Sequence, residues 1–169
     1  MRKLSLLTLS TLLVAAAAVA QEPAKKPLSP KQQVTHTAGG KKITIDYSAP
    51  SVRGRKIMGE LVPYGQVWRT GANAATTLTT TADLMIGKLH VPAGTYTLYT
   101  IPGEKEWTLI VNKKTGQWGT EYDASQDLGR TKMTVVKLKE PVEQFAIGID
   151  KTLALSWENT KVWVPVVVH

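Results

Sequence analysis

The chain has 169 residues, a formal net charge of +8 and no cysteine. This length is typical of one domain with a sizeable core, and the lack of cysteine excludes disulfides and a lipid-modified cysteine. Its three histidines have no neighbour at ligand spacing, so we predict no metal site, and the lack of phosphate-loop and dinucleotide-binding motifs predicts no cofactor.

The N-terminus has the three parts of an export signal in the expected order. A positive start at residues 2 and 3 is followed by an uncharged stretch over 4–19, which ends in a small-x-small cleavage site at 18–20. A membrane anchor is the alternative, but an anchor needs about 20 apolar residues and this stretch is shorter. We therefore expect a signal peptide over residues 1–20, cleaved after Ala20. The mature protein is expected to be periplasmic or secreted and to have no transmembrane segment.

The mature chain begins with a segment that differs from the rest in composition. Residues 21–30 contain three prolines and few apolar side chains, which predicts a flexible linker before a β-sandwich domain over 31–169. From there the dominant hydrophobic period is two. Apolar and polar residues alternate over 43–47 after two glycines at 39 and 40, which predicts a hairpin with residues 31–37.

Later parts of the chain repeat the strand pattern, with turn residues between the runs. Predicted strands lie in the threonine-rich run at 75–83 and at 95–98, 107–112, 145–149 and 153–157. Helical period is almost absent, and only residues 56–61 and 123–128 are compatible with a helical turn. Eight to ten short strands predict an all-β fold, a single antiparallel β-sandwich of the jelly-roll or immunoglobulin-like kind. A closed β-barrel is the alternative.

One segment, between Tyr47 and Thr76, lacks any clean period and is unusually long for a connection inside a sandwich. It contains four basic residues but only Glu60 as an acid, together with two aromatic residues and many glycines. Arginine binds carboxylate, phosphate or sulfate through two parallel hydrogen bonds, and the faces of Tyr64 and Trp68 suit stacking of a sugar ring. The segment therefore predicts a site for a polar or anionic ligand.

A structural interpretation explains the same residues. Arginines often pair with acids elsewhere or donate to loop carbonyls, and the aromatic rings of the segment would then close one end of the core. A second loop, over residues 112–123, allows the same two interpretations. It is either part of the binding surface or a β-turn in which Trp118 covers an apolar edge.

Three strings of this sequence resemble a known family. They are RGRKIMGELVPYGQVWRTGAN, PAGTYTLYTIPGEKEWTLIVNKKTGQWG and the closing WENTKVWVP. Together they are similar to the bacterial secreted family catalogued as domain of unknown function 2911, over nearly the whole mature chain. The resemblance transfers no activity, cofactor or catalytic residue. An acidic residue commonly follows the Gly-Ala-Asn of the family's pattern, whereas this chain has Ala74 there.

The leading hypothesis is an exported, non-catalytic binding or accessory module for a polar or anionic ligand, such as an envelope glycan. A Gly-x-Ser-x-Gly motif and a phosphate-binding loop are both missing, so no catalytic residue is assigned. The basic excess is spread along an exported chain, which argues against a nucleic-acid partner. The candidate ligand-binding residues are Arg53, Arg55, Lys56, Tyr64, Trp68, Arg69, Asn73 and Trp118.

Two alternatives from other classes remain open. A hydrolase acting on envelope polysaccharide or peptide would use Glu60 or Asp123 as a proton donor beside the same arginines. A structural protein that works through a partner would have its loop arginines saturated by internal acceptors and an exposed apolar patch elsewhere.

Overall fold

The computed structural model describes residues 28–169. The signal peptide expected over residues 1–20 and most of the linker expected over 21–30 lie outside these residues. Within the described range, no helix has the length and apolar character needed to cross a membrane. The elements of this range are β1 (Lys31–Ala38), β2 (Lys41–Ser48), β3 (Thr76–Thr80), β4 (Leu84–Ile86), β5 (Leu89–Val91), β6 (Gly94–Ile101), β7 (Glu106–Asn112), a 3-10 turn (Ala124–Gln126), β8 (Asp127–Ile149) and β9 (Thr152–Val168).

All strand pairs are antiparallel, and the strands follow the order β1-β2-β3-β6-β7-β8-β9-β4-β5. Among the described strands, β1 and β5 stand at the two ends of this order and do not pair with each other. The sheet is therefore open. The predicted all-β, antiparallel, sandwich-like class is confirmed, and the alternative of a closed barrel is wrong.

β8 connects the two parts of the sheet. Residues 127–134 of this strand pair with β7, and residues 134–149 pair with β9. Shifts of register between Lys137 and Ala146 interrupt the ladder, and such bulges bend a strand and increase its twist. Apolar side chains from both parts of the sheet, such as Ile45 in β2 and Leu155 in β9, join one buried cluster.

The first hairpin forms as the sequence predicts. Ala38 pairs with Lys41 across Gly39 and Gly40, whose φ angles are 57° and 78°. Positive φ at both central residues is what a two-residue turn needs to match the twist of its strands.

Three features differ from the predicted elements. β8 and β9 have 23 and 17 residues, so the expectation of uniformly short strands is wrong for them. The hairpin of β4 and β5 has only three residues per strand and was not predicted. The segment over 56–61 forms turns and a bridge instead of a helical turn, whereas a short 3-10 turn does form within 123–128.

The long connection, defined here as residues 49–75 between β2 and β3, is fastened to the rest of the fold by isolated bridges and by further hydrogen bonds. Isolated bridges join Ser51 to Gln144 in β8, Trp68 to Thr100 in β6, and Ala74 to Trp118 in the loop after β7. The Trp68 bridge is made by two backbone hydrogen bonds of 2.7 and 2.9 Å. These contacts hold an irregular segment in a defined shape, which is what a preformed binding site requires.

Candidate functional site

Two adjacent cavities lie against the long connection. The first has a volume of about 340 Å³, and its walls include Arg53, Arg55 and Asn73. The second has a volume of about 560 Å³ and extends towards Thr120 and Tyr122 in the loop after β7. The two cavities share four wall residues, which are Leu61, Val62, Trp68 and Arg69. No aspartate, glutamate or histidine lines either cavity.

Arg69 stands in the wall between the cavities and has an unused hydrogen-bond donor. Its Nε is buried and has no hydrogen-bond partner among the described residues. Within residues 28–169, none of the ion pairs includes Arg69. A buried donor without a partner costs roughly 1–3 kcal/mol, so this arrangement is unfavourable unless something else accepts the hydrogen bond.

Gly119 holds the aliphatic stem of Arg69 in place. A Cβ atom at Gly119 would lie 2.5 Å from Arg69 Cδ and 2.7 Å from the carbonyl oxygen of Asn73. The Gly119 N–H donates to that same oxygen at 3.0 Å. Glycine is therefore required here because of close packing, and the loop after β7 lies directly against the stem of Arg69.

Arg53 and Arg55 use their guanidinium groups on loop carbonyls. Arg53 Nη2 donates to the Leu28 carbonyl, while Arg55 donates from Nε and Nη2 to the carbonyls of Val52 and Ser51, at 3.0 and 2.7 Å. These hydrogen bonds agree with the structural interpretation of the segment, in which its arginines donate to loop carbonyls. In the described part of the chain neither forms an ion pair, although the Glu143 carboxylate accepts a hydrogen bond from the backbone N–H of Arg53 at 2.9 Å.

Trp68 is mainly part of the core. Its ring stacks on Trp157 with centroids 5.8 Å apart, and it makes edge contacts with Trp107 at 6.1 Å and Phe145 at 5.1 Å. The side chain is half-buried and also lines both cavities. It therefore supports the cavity floor and offers a ligand only a limited area of its ring.

Three of the sequence candidates lie outside both cavities. Lys56 forms an exposed ion pair with Glu60 at 3.2 Å. Tyr64 is 41% exposed and packs over Gly59, where an added Cβ would lie 2.9 Å from the ring. Trp118 is 51% exposed in the loop after β7.

Backbone strain concentrates around the site. Among the described residues, only four non-glycine residues have positive φ, and three of them, Arg53, Thr70 and Asn73, lie in the long connection. For Thr70 this conformation is a genuine outlier, since the residue is β-branched. The fourth, Glu158, accepts hydrogen bonds from the N–H groups of Ile57 and Met58, both at 3.3 Å. Strained residues of this kind persist where the surrounding structure imposes them, and they cluster at functional sites.

The second cavity includes Thr120 and Tyr122 of the loop after β7. One interpretation of the sequence placed residues 112–123, Tyr122 included, on the binding surface, although only Trp118 of this loop was named as a ligand-binding residue. The Tyr122 hydroxyl donates to Asp127 at 2.8 Å and accepts from Arg130 at 2.9 Å, so its position is fixed. Burial raises the pKa of Tyr122 above its usual value. The ring of Tyr122 therefore forms a neutral wall.

The two acids considered as proton donors are held elsewhere. Glu60 pairs with Lys56, and neither Glu60 nor Asp123 lines a cavity. Asp123 accepts hydrogen bonds from the hydroxyl and the N–H of Ser125, which lower the pKa of its carboxyl group. Within residues 28–169, no group of three or more His, Cys, Asp or Glu side chains is arranged to hold a metal ion.

Comparison with known proteins gives a family for this chain. Neither the search of curated proteins nor that of solved structures found a match. The model of the family described as "Protein of unknown function (DUF2911)" matches residues 29–166. This match covers most of the 169 residues and includes the long connection and, apart from Leu28, every residue that lines the two cavities. The chain therefore belongs to the DUF2911 family.

Proposed function

We propose that this protein is an exported, non-catalytic binding module that holds a polar, anionic ligand, such as an acidic envelope glycan, at Arg69. The observation that carries the proposal is the buried, unpartnered Nε of Arg69 in the wall between two cavities. A small shift of the Arg69 side chain towards either cavity would let an oxyanion of the ligand accept the hydrogen bond that the protein itself leaves unused.

The charge around Arg69 supports an anionic ligand. Arg53 and Arg55 line the first cavity beside it, and no acidic side chain lines either cavity. A cleft lined by charges of one sign concentrates ions of the opposite sign. Arginine is also the side chain best suited to bind planar carboxylates through two hydrogen bonds.

The same observations bear on the two alternative functions. The hydrolase hypothesis named Glu60 and Asp123 as proton donors, and both lie away from the cavities. The hypothesis of a purely structural loop requires internal acceptors for all three arginines, and Arg69 Nε has none among the described residues. Export is supported by the signal-like sequence of residues 1–20 alone.

The test compares Arg69→Gln with Lys56→Gln. Both substitutions remove one positive charge from the long connection, but Lys56 lies outside the cavities. Arg55 is left intact because its guanidinium holds the loop carbonyls of residues 51 and 52. The probes are glucuronate, galacturonate, sulfate and phosphate, with glucose and galactose as neutral controls. Melting temperature and titration calorimetry are the readouts, since a ligand that binds the folded form raises its melting temperature.

At least one anionic probe is expected to bind the wild-type protein and the Lys56→Gln variant equally. Hydrogen bonds to charged groups contribute about 1.5–3 kcal/mol, so Arg69→Gln should weaken that binding roughly tenfold or more. Equal affinity in a folded Arg69→Gln variant, or no binding of any anion, would reject the proposed function.

A further inference from the structure

The arrangement of the two cavities bears on the size of the ligand. Each cavity falls within the range of about 300–1,000 Å³ that is usual for ligand clefts, and Arg69 is reached from both. A single small anion on Arg69 would leave at least one cavity without a ligand group. From this geometry we infer that the ligand is an acidic oligosaccharide of at least two residues. One sugar lies in each cavity, and a carboxylate binds Arg69. This inference rests on the proposed function.

The walls of the second cavity suit a sugar ring. Leu61 and Val67 supply exposed apolar surface, while Gln66 and Thr120 supply an amide and a hydroxyl group on the same cavity. A pyranose ring has a face of C–H groups and a rim of hydroxyl groups, so it needs both kinds of surface at once. The second cavity therefore offers a place for the neighbouring sugar of an acidic unit.

Hydrogen bonding by the backbone favours a glycan over a peptide. Peptides are commonly held by adding a strand to free backbone groups at a sheet edge. In the cavity walls, however, several backbone N–H groups already donate within the protein. They are those of Val62 to Ile57 at 2.9 Å, Trp68 to Thr100 at 2.7 Å, Ala72 to Ser48 at 3.2 Å and Gly119 to Asn73 at 3.0 Å. Recognition here depends mainly on side chains, which suits a sugar better than an extended peptide.

The experiment measures how affinity depends on ligand length. Titration calorimetry on the full-length protein would use uronates of the galacturonate and mannuronate series with one, two and four residues. A neutral galactose tetramer and a tetraglutamate peptide are the comparison ligands. Affinity is expected to rise at least tenfold from the monomer to the tetramer in one uronate series, while the neutral tetramer binds more weakly.

A pair of variants locates the second sugar. Thr120 is exposed and lines only the second cavity, so Thr120→Trp should fill that cavity without disturbing the core. We expect this variant to bind the tetramer no more tightly than the monomer. Thr115→Trp is the matched control, because Thr115 is exposed in the same loop and lines neither cavity. This control should behave as the wild type does.

The outcomes separate the two proposals. A monouronate that binds through Arg69 as tightly as the tetramer would overturn the extended ligand and leave the proposed function in place. Tighter binding of tetraglutamate than of any oligouronate would overturn the glycan assignment. If neither the uronates nor sulfate and phosphate bind, both proposals fail.

Discussion

At the scale of single residues, the site depends on how Arg69 is held. Its Nε lacks a partner inside the described protein, while its stem lies against Gly119. An arginine fixed in this way loses little side-chain freedom when a ligand arrives, so less of the binding free energy is spent on ordering it. The unsatisfied donor lowers stability, and in the proposed function it is the group that donates to the ligand at the same position.

Gly119→Ala tests this dependence. The new methyl group would meet Arg69 Cδ at 2.5 Å, so Arg69 or the loop after β7 must shift. We expect a loss of about 1–3 kcal/mol in the free energy of unfolding, as is usual for overpacking. Affinity for the anionic probe should fall as well. Gly148→Ala is the matched control, because nothing lies within 4 Å of its added Cβ. Unchanged stability and affinity in Gly119→Ala would contradict this role, with denaturant unfolding and calorimetry as the measurements.

At the scale of elements, β9 holds the turn that forms the shared cavity wall. Glu158 interrupts the regular conformation of this strand with a φ of 52° and accepts hydrogen bonds from the N–H groups of Ile57 and Met58. The following turn brings Leu61 and Val62 to the cavities, with the Val62 N–H donating to the Ile57 carbonyl at 2.9 Å. The residue that interrupts the regular conformation of β9 is therefore also the one that accepts hydrogen bonds from the long connection.

Glu158→Ala should loosen this turn without unfolding the sheet. Two backbone N–H groups lose their acceptor, which we expect to lower the free energy of unfolding by about 1 kcal/mol or more. Hydrogen exchange at the amides of Ile57 and Met58 should become faster, while exchange in β6 stays unchanged. Glu140→Ala, an exposed residue of β8, provides the control. Unaltered exchange at both amides would show that Glu158 does not hold the turn.

At the scale of the whole molecule, three buried or half-buried tyrosines resist ionisation. Burial raises the pKa of Tyr96, Tyr99 and Tyr122 above the ordinary value of 10.0. Tyr99 is fully buried, accepts a hydrogen bond from Gln117 at 3.0 Å and packs edge-on against Tyr122 at 4.9 Å. These contacts join the sheet to the loop that lines the second cavity.

The raised pKa values predict a fall in stability at alkaline pH. The folded state keeps these protons at a pH where the unfolded chain has lost them. Their contribution is therefore complete below pH 10 and is lost as the pH rises through the folded-state pKa values. Tyr99→Phe should make the loss between pH 9 and about 11.5 shallower, as measured by denaturant unfolding at each pH. An identical pH profile in wild type and variant would contradict this assignment.

Much of the sheet follows from local pattern, and the exceptions have identifiable causes. Alternation over 43–47 predicts β2 because successive side chains of a strand point to opposite faces. In β8 the register shifts between Lys137 and Ala146 disturb this alternation, and Pro141 lies among charged residues. The sequence pattern therefore predicts a strand only over residues 145–149, the last part of β8. The strands of β4 and β5 are too short, at three residues each, to display a period.

The sequence by itself determined the class of fold and the segment in which a site was to be expected. Both depend on local features, namely the period of two and its interruption between Tyr47 and Thr76. Tertiary structure decided which arginines have hydrogen-bond acceptors inside the described protein and which do not. The acceptors of an arginine are set by how the chain packs, so the spacing of residues in the sequence does not predict them. Arg53 and Arg55 donate to loop carbonyls, whereas the stem of Arg69 packs on Gly119, fifty residues away, beside two cavities whose walls contain no acidic side chain.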